Sequence, residues 1–194
     1  MSSFEYVMVL VSIVIGLAIT HVLTAFAAAV QRLRGHGEPI RLEAVYLLWT
    51  GYVMTMLVSF WWWEFKYHEL EIEWSYGLYL FIITYAVTLF LMAAVLVPKG
   101  MEGVSDSYAF FMEGRNWFFV IHLFVISIDI IDTFLKGADF GLRPSVLVSY
   151  APMIGASIVG IVSERRWVQV VAAATAFASQ LIYMFQTLGV LGSW

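Results

Sequence analysis

Six stretches of largely apolar residues follow one another along the chain, each bounded by charged residues, proline or glycine. A helix needs about 20 such residues to cross the ~30 Å hydrocarbon core of a bilayer. Windows of this size run over residues 4–30, 44–65, 75–97, 116–135, 146–163 and 167–190. The pattern predicts an all-α transmembrane helical bundle of about six spans. No linker separates the stretches, so we expect a single integral membrane domain over residues 1–194.

Tryptophans flank several of these stretches. Trp49 lies near one end of the second stretch, and Trp61 to Trp63 lie near its other end. Tryptophan is enriched at membrane–water interfaces. A soluble bundle with the same aromatic content would need polar faces on its helices, and most of these stretches have none. The pattern therefore favours spanning a lipid bilayer.

The basic residues predict an orientation. Of the 10 Lys and Arg residues, the first, third and fifth loops carry seven: Arg32, Arg34, Arg41, Lys99, Arg115, Arg165 and Arg166. Because Lys and Arg are retained in cytoplasmic loops, both termini are expected on the non-cytoplasmic side. The first stretch lacks a basic region before it and carries Glu5, so we expect a retained span rather than a signal peptide. Residues 98–115 fit either an amphipathic segment on the membrane surface or an ordinary loop.

Composition agrees with a lipid environment and excludes several functions. The chain is 62% hydrophobic and 12% charged, whereas an ordinary soluble domain is roughly half apolar and a quarter charged. A net charge of -4 with scattered carriers argues against a nucleic-acid surface. No cysteine is present, and the sequence contains no nucleotide-binding glycine loop, zinc-protease helix or nucleophile elbow. We therefore predict no catalytic residue and no metal site.

The fourth stretch contains the strongest chemical signal, a polar stripe on an otherwise apolar helix. At 100° per residue its members fall within an arc of about 100°. They are His122, Asp129, Asp132, Thr133 and Lys136. A central Asp costs about 2.5 to 3.5 kcal/mol on insertion scales, so this side of the helix should face protein or water rather than lipid.

In the predicted orientation, four carboxyl groups lie at similar levels near the non-cytoplasmic side. Our leading hypothesis is a polar path or site for a small cation or proton. Its residues are Asp129, Asp132, Glu64, Glu5 and His122. The alternative is structural: Asp129 or Asp132 simply pairs with Lys136 or Lys66, as charges inside membranes often do.

Two histidines suggest a different chemistry. His21 and His122 lie at comparable depths, and facing imidazoles could ligate a b-type haem. Without a spacing motif, two such histidines are more often hydrogen-bonded interior residues than haem ligands. No other cofactor is predicted.

Small residues at four-residue spacing predict close helix contacts, within the bundle or in a homo-oligomer. They are Ser12, Gly16 and Thr20 in the first stretch, and Ala151 with Gly155 and Ala156 with Gly160 in the fifth. This feature supports a second hypothesis, a non-transporting sensor or accessory subunit that acts through helix packing and partner binding. A haem-bearing electron-transfer protein is the third.

Three segments carry a resemblance to known sequences. Residues 12–21, Trp61 to Trp63 and residues 115–119 resemble a group of short bacterial multi-pass proteins without assigned function. The resemblance implies a location in the bacterial inner membrane and implies no activity.

Overall fold

The fold is a bundle of six long helices. The computed structural model describes residues 3–70 and 72–187. The long helices are α1 (Ser3–Leu33), α2 (Ala44–Glu64), α3 (Tyr76–Leu96), α4 (Ser107–Lys136), α5 (Pro144–Val162) and α6 (Arg166–Thr187). Each is apolar and long enough to cross a membrane. The predicted all-α bundle of six membrane-length helices is therefore confirmed, and the last three residues of the sixth stretch lie outside the described part.

The six long helices form a closed ring in which α2 packs between α6 and α1. The ring runs from α1 to α3, α4, α5 and α6, and α6 packs against α2, which returns to α1. Because α2 also contacts α3 and α4, its middle residues Tyr52, Val53 and Leu57 are completely buried. Outward-facing side chains such as Leu17 and Phe185 are apolar and exposed. Such a surface is what hydrocarbon, rather than water, solvates.

The fourth helix begins nine residues before the predicted start at residue 116. Asp106 caps it, because its Oδ1 accepts hydrogen bonds from the backbone N–H groups of Tyr108 at 2.8 Å and Ala109 at 3.1 Å. An Asp at this position satisfies donors that the first helical turn leaves free. The predicted third loop over residues 98–115, whether a surface segment or an ordinary loop, is thus corrected, because residues 107–115 belong to α4.

Arg32, at the end of α1, joins the first loop to the third. Its guanidinium donates to the carbonyl oxygens of Glu38 at 2.7 Å and Pro39 at 3.2 Å in the first loop. It also donates to Met101 and Val104, each at 2.8 Å, in the third loop. A planar guanidinium has five N–H donors, so one side chain holds both loops together.

The small-residue positions divide into two groups. A Cβ added at Gly160 would lie 2.1 Å from Phe119 Cζ, so α4 and α5 approach closely there, as predicted. At Gly16 and Gly155, an added Cβ would meet nothing within 4 Å, which corrects the expectation of close contact at these two glycines within one chain.

The small residues one helical turn before and after Gly16 also lie on the exposed face of α1. Ser12 and Thr20 are exposed, because α1 buries its opposite side, where Ala18 and Val22 lie. Ser12 Oγ accepts a 2.7 Å hydrogen bond from Trp61 Nε1. A contact through this face between two copies of the chain stays a prediction.

Substitution of Gly160 by Ala should destabilise the bundle. The new methyl group would overlap the Phe119 ring, and overpacking of this kind costs about 1–3 kcal/mol. Gly155→Ala is the matched control in the same helix. It removes a helix-weakening glycine without a clash, so its stability should be unchanged or slightly raised. Thermal unfolding of the purified variants in one detergent measures both effects, and equal melting temperatures for the two variants would contradict the packing described.

Candidate functional site

The polar stripe of α4 faces the interior of the bundle, as predicted. His122 and Asp132 are 0% exposed, Thr133 is 1% and Lys136 is 6%. Asp129 is half-buried. Helix α4 places them there because its opposite side carries exposed Phe124, Ile131 and similar apolar residues. We call the end of the bundle that holds Lys136 the acidic end, and the end that holds Arg32 the basic end.

At the acidic end, one ammonium group lies between two buried carboxylates. Lys136 Nζ donates to Asp132 Oδ2 one turn earlier in α4, and to Glu64 Oε1 at the end of α2 at 3.1 Å. The side chains of all three residues are at most 2% exposed. The pairing of Asp132 with Lys136 is the one that the structural alternative predicted. Lys66, the other candidate partner, pairs with Glu69 at 3.2 Å.

Two aromatic side chains complete the surroundings of Asp132. Trp63 Nε1 donates to Oδ2 at 2.6 Å, and the Tyr67 hydroxyl donates to Oδ1 at 2.8 Å. The same rings lie against the ammonium group, with Lys136 Nζ 4.3 Å from the Trp63 ring centre and 4.8 Å from that of Tyr67. Cation–π attraction is strong where water is excluded. Asp132 thus accepts hydrogen bonds from three donors, one of which, Lys136, carries a positive charge.

Glu64 is less well satisfied than Asp132. Its Oε1 accepts from Lys136, while its Oε2 is buried and has no hydrogen-bond partner among the described residues. The two acids and the single Lys136 carry a net charge of minus one when all three are ionised. A buried charge without a partner is strongly unfavourable. One proton or one small cation at Glu64 balances the group.

Asp129 lies seven residues before Lys136 in α4, and so about 10 Å deeper in the bundle at a rise of 1.5 Å per residue. Tyr85 of α3 donates to its Oδ1 at 2.6 Å, and Tyr150 of α5 donates to its Oδ2 at 2.7 Å. Thr133 Oγ1 lies 2.9 Å from the Tyr150 hydroxyl. Asp129 also lines a cavity of ≈ 50 Å³ together with Ser59 and other residues from α2, α3, α5 and α6. A cavity of this volume has room for at least one water molecule.

His122 forms the next polar contact toward the basic end. Its Nδ1 lies 2.8 Å from Ser157 Oγ, and its Nε2 lies 2.8 Å from the Tyr52 hydroxyl. Ser157 donates its hydroxyl hydrogen to the Met153 carbonyl at 2.9 Å, so it accepts from Nδ1–H. Nε2 then accepts from Tyr52. Both ring nitrogens are engaged by protein, and a haem iron could bond to either only after one of these hydrogen bonds is broken.

Aromatic side chains fill the bundle beyond His122. Trp49, Phe118 and Phe119 are completely or almost completely buried, and the ring centres of Phe118 and Phe119 lie 5.1 and 5.4 Å from that of Trp49. Trp49 was expected at the membrane interface, and the structure corrects this to the core. The polar stripe of α4, from His122 to Lys136, therefore lies in the half of the bundle nearer the acidic end.

The remaining predicted site residues, Glu5 and His21, both lie in α1, and neither is among the buried residues. Glu5 is exposed in the first turn of α1, whose helix neighbours are α2 and α3. His21 lies 2.7 Å from the Val97 carbonyl oxygen and thus has a different partner from His122. Haem binding by the two histidines stays a prediction.

Sequence reasoning missed four aromatic residues of the site: Trp63, Tyr67, Tyr85 and Tyr150. All four come from parts of the chain other than α4, and their spacing along the chain carries no motif. Comparisons with protein-family models, with curated proteins and with solved structures found no match for this chain.

Replacement of Lys136 by Met should destabilise the protein. The change leaves Asp132 and Glu64 buried together without their shared positive charge, and removal of one partner from a buried ion pair costs about 3–5 kcal/mol. Adding Asp132→Asn and Glu64→Gln to the same chain removes both charges and should restore much of the loss. Thermal unfolding in detergent tests both variants. A Lys136→Met protein as stable as the parent would show that the three groups are not coupled.

Proposed function

We propose that this membrane protein binds and exchanges a proton or a small monovalent cation at the carboxylates of its acidic end. The observation that carries the proposal is the pair of buried acids around one lysine, with Glu64 Oε2 lacking a partner among the described residues. Ionisable residues inside a membrane bundle are expensive to keep and usually functional.

Glu64 is the exchanging group in this proposal. Asp132 accepts hydrogen bonds from Trp63, Tyr67 and Lys136, so its ionised form is well stabilised. Glu64 accepts only from Lys136 among the described residues, so it is the acid that takes up a proton or coordinates a cation. The loss of that proton or cation leaves one uncompensated negative charge beside Lys136.

The arrangement favours a carrier-like site over an open pore. Polar side chains reach from the acidic end to His122, and the aromatic residues Trp49, Phe118 and Phe119 fill the bundle beyond it. Passage across the whole membrane therefore needs a second arrangement of the helices. We also propose that the acidic end faces away from the cytoplasm, because most Lys and Arg residues lie in the loops of the basic end.

Flux measurements on purified protein in liposomes test the proposal. With a proton or Na⁺ gradient, the parent protein should give saturable flux above that of empty liposomes. Glu64→Gln keeps the shape of the side chain but removes the exchanging acid, so the flux should fall at least tenfold. Asp132→Asn should lower the flux similarly, because Lys136 then pairs with Glu64 alone.

The matched controls are Glu73→Gln and Asp139→Asn. These residues are exposed, and the chemical changes are the same. Both controls should retain the flux of the parent protein. Unchanged flux in Glu64→Gln and Asp132→Asn would contradict the assignment of these acids, and parental flux equal to that of empty liposomes would contradict transport.

A second candidate, an accessory subunit that binds a partner helix, is supported by the surface of α1. Ser12 and Thr20 are exposed and the space beside Gly16 is open. Small residues on a lipid-facing helix allow another helix to approach closely. The same face would serve a homo-oligomer.

A further inference from the structure

We propose that the Asp129 cavity binds the head group of an amphiphilic primary ammonium ion, which enters from the bilayer through a groove between α2 and α6. The inference rests on the proposed function in taking the acidic end as a cation site. It concerns Asp129 rather than Glu64, and it names the chemical class of the ligand.

The charge of Asp129 is the first argument. Its two carboxylate oxygens accept from the hydroxyls of Tyr85 and Tyr150, which are neutral donors. Among residues 3–70 and 72–187, Lys136 is bound to Asp132 and Glu64 instead. A carboxylate in a membrane bundle without a contacting cation attracts one from outside the chain.

The lining of the cavity selects an organic cation. Besides Asp129, it presents the aromatic rings of Phe60, Trp63, Tyr85, Tyr150 and Tyr183. Aromatic faces attract ammonium groups, and they do so most strongly where water is excluded. A hard metal cation would instead require several oxygen ligands at once. The acid together with the rings fits R–NH₃⁺ better than it fits a bare ion.

The polar groups of the cavity favour a primary ammonium group over a quaternary one. The cavity has a volume of ≈ 50 Å³ and contains the Asp129 carboxylate together with hydroxyl groups. A primary ammonium group has three N–H donors for these oxygens, whereas a trimethylammonium group has none.

The groove beside the cavity provides room for an apolar tail. It lies between α2 and α6, has a volume of ≈ 590 Å³, and is lined mainly by apolar side chains such as Met54, Val58 and Trp62. Val58 and Phe185 of this groove are exposed on the side of the bundle, where lipid chains would be. An alkyl chain can therefore lie in the groove without leaving the hydrocarbon.

Ser59 connects the groove with the cavity. It lines both spaces, and its hydroxyl lies 3.4 Å from the sulfur of Met184 across the gap between α2 and α6. A small side chain and a flexible thioether are easily moved apart. A head group at Asp129 and a tail in the groove are thus two ends of one continuous site.

Calorimetric titration of the protein in nanodiscs of zwitterionic lipid tests the inference, with empty nanodiscs subtracted. The probes share an eight-carbon tail: octylammonium, octanol and octyltrimethylammonium. We expect octylammonium to bind one site per chain at least tenfold more tightly than the other two. Equal binding of octylammonium and octanol would overturn the proposal, and this comparison needs only the parent protein.

Two variants locate the site. Asp129→Asn should lower the affinity for octylammonium at least tenfold, to the level of octanol, whereas Asp139→Asn on the surface should leave it unchanged. Ser59→Phe should block the connection and lower the affinity similarly, whereas Ser127→Phe on the exposed side of α4 should have no effect. Size-exclusion profiles in the same lipid verify that each variant is folded.

The outcomes separate this inference from the proposed function. Undiminished binding in folded Asp129→Asn would overturn the ammonium site while leaving the flux result for Glu64→Gln to stand on its own. Loss of binding in Asp129→Asn with full binding in Ser59→Phe would overturn entry through the groove. Binding that depends on Asp129, together with unchanged flux in Glu64→Gln, would support the ammonium ligand and reject the exchange role of Glu64.

Discussion

The contact of Lys136 with Asp132 and Glu64 is the interaction on which the interior of this bundle depends. In hydrocarbon, an isolated charge is so unfavourable that it must be paired, neutralised or hydrated. The pairing fixes the ends of α2 and α4 against each other and draws the Trp63 and Tyr67 rings over the ammonium group. Because the attraction between charges is stronger away from water, a pair that would count for little on a soluble surface organises this end of the protein.

The three acids of the site differ in their partners rather than in their depth alone. Asp132 is surrounded by donors and a positive charge, Glu64 shares only that charge, and Asp129 meets two neutral hydroxyls. All three are carboxylic acids, and it is their surroundings that differ. The buried residues Trp49, Phe118 and Phe119 lie beyond His122, so the three acids share the half of the bundle nearer the acidic end.

The hydrophobic pattern predicted the bundle and the inward direction of the α4 stripe, because lipid leaves few places for charged groups. It also offered the Asp132–Lys136 pair, which follows from one-turn spacing on a helix. The tyrosines at Asp129 could not be predicted, since nothing in a single sequence tells which helices become neighbours. The predicted interface position of Trp49 was wrong for the same reason, because an aromatic residue near a helix end fits an interface and a core equally well. The early start of α4 could have been predicted from the sequence, because Asp106 is a recognisable capping residue.

The hydrogen bonds of Arg32 determine how firmly two loops of the basic end are held together. They tie the loops after α1 and α3 through partly buried carbonyl oxygens, whereas the α5–α6 loop is held by ion pairs whose Glu164 and Arg166 members lie largely in solvent. Solvent-exposed ion pairs contribute little and weaken with salt. At high salt the loop between α5 and α6 is therefore held less firmly to the rest of the basic end than the two loops that Arg32 joins.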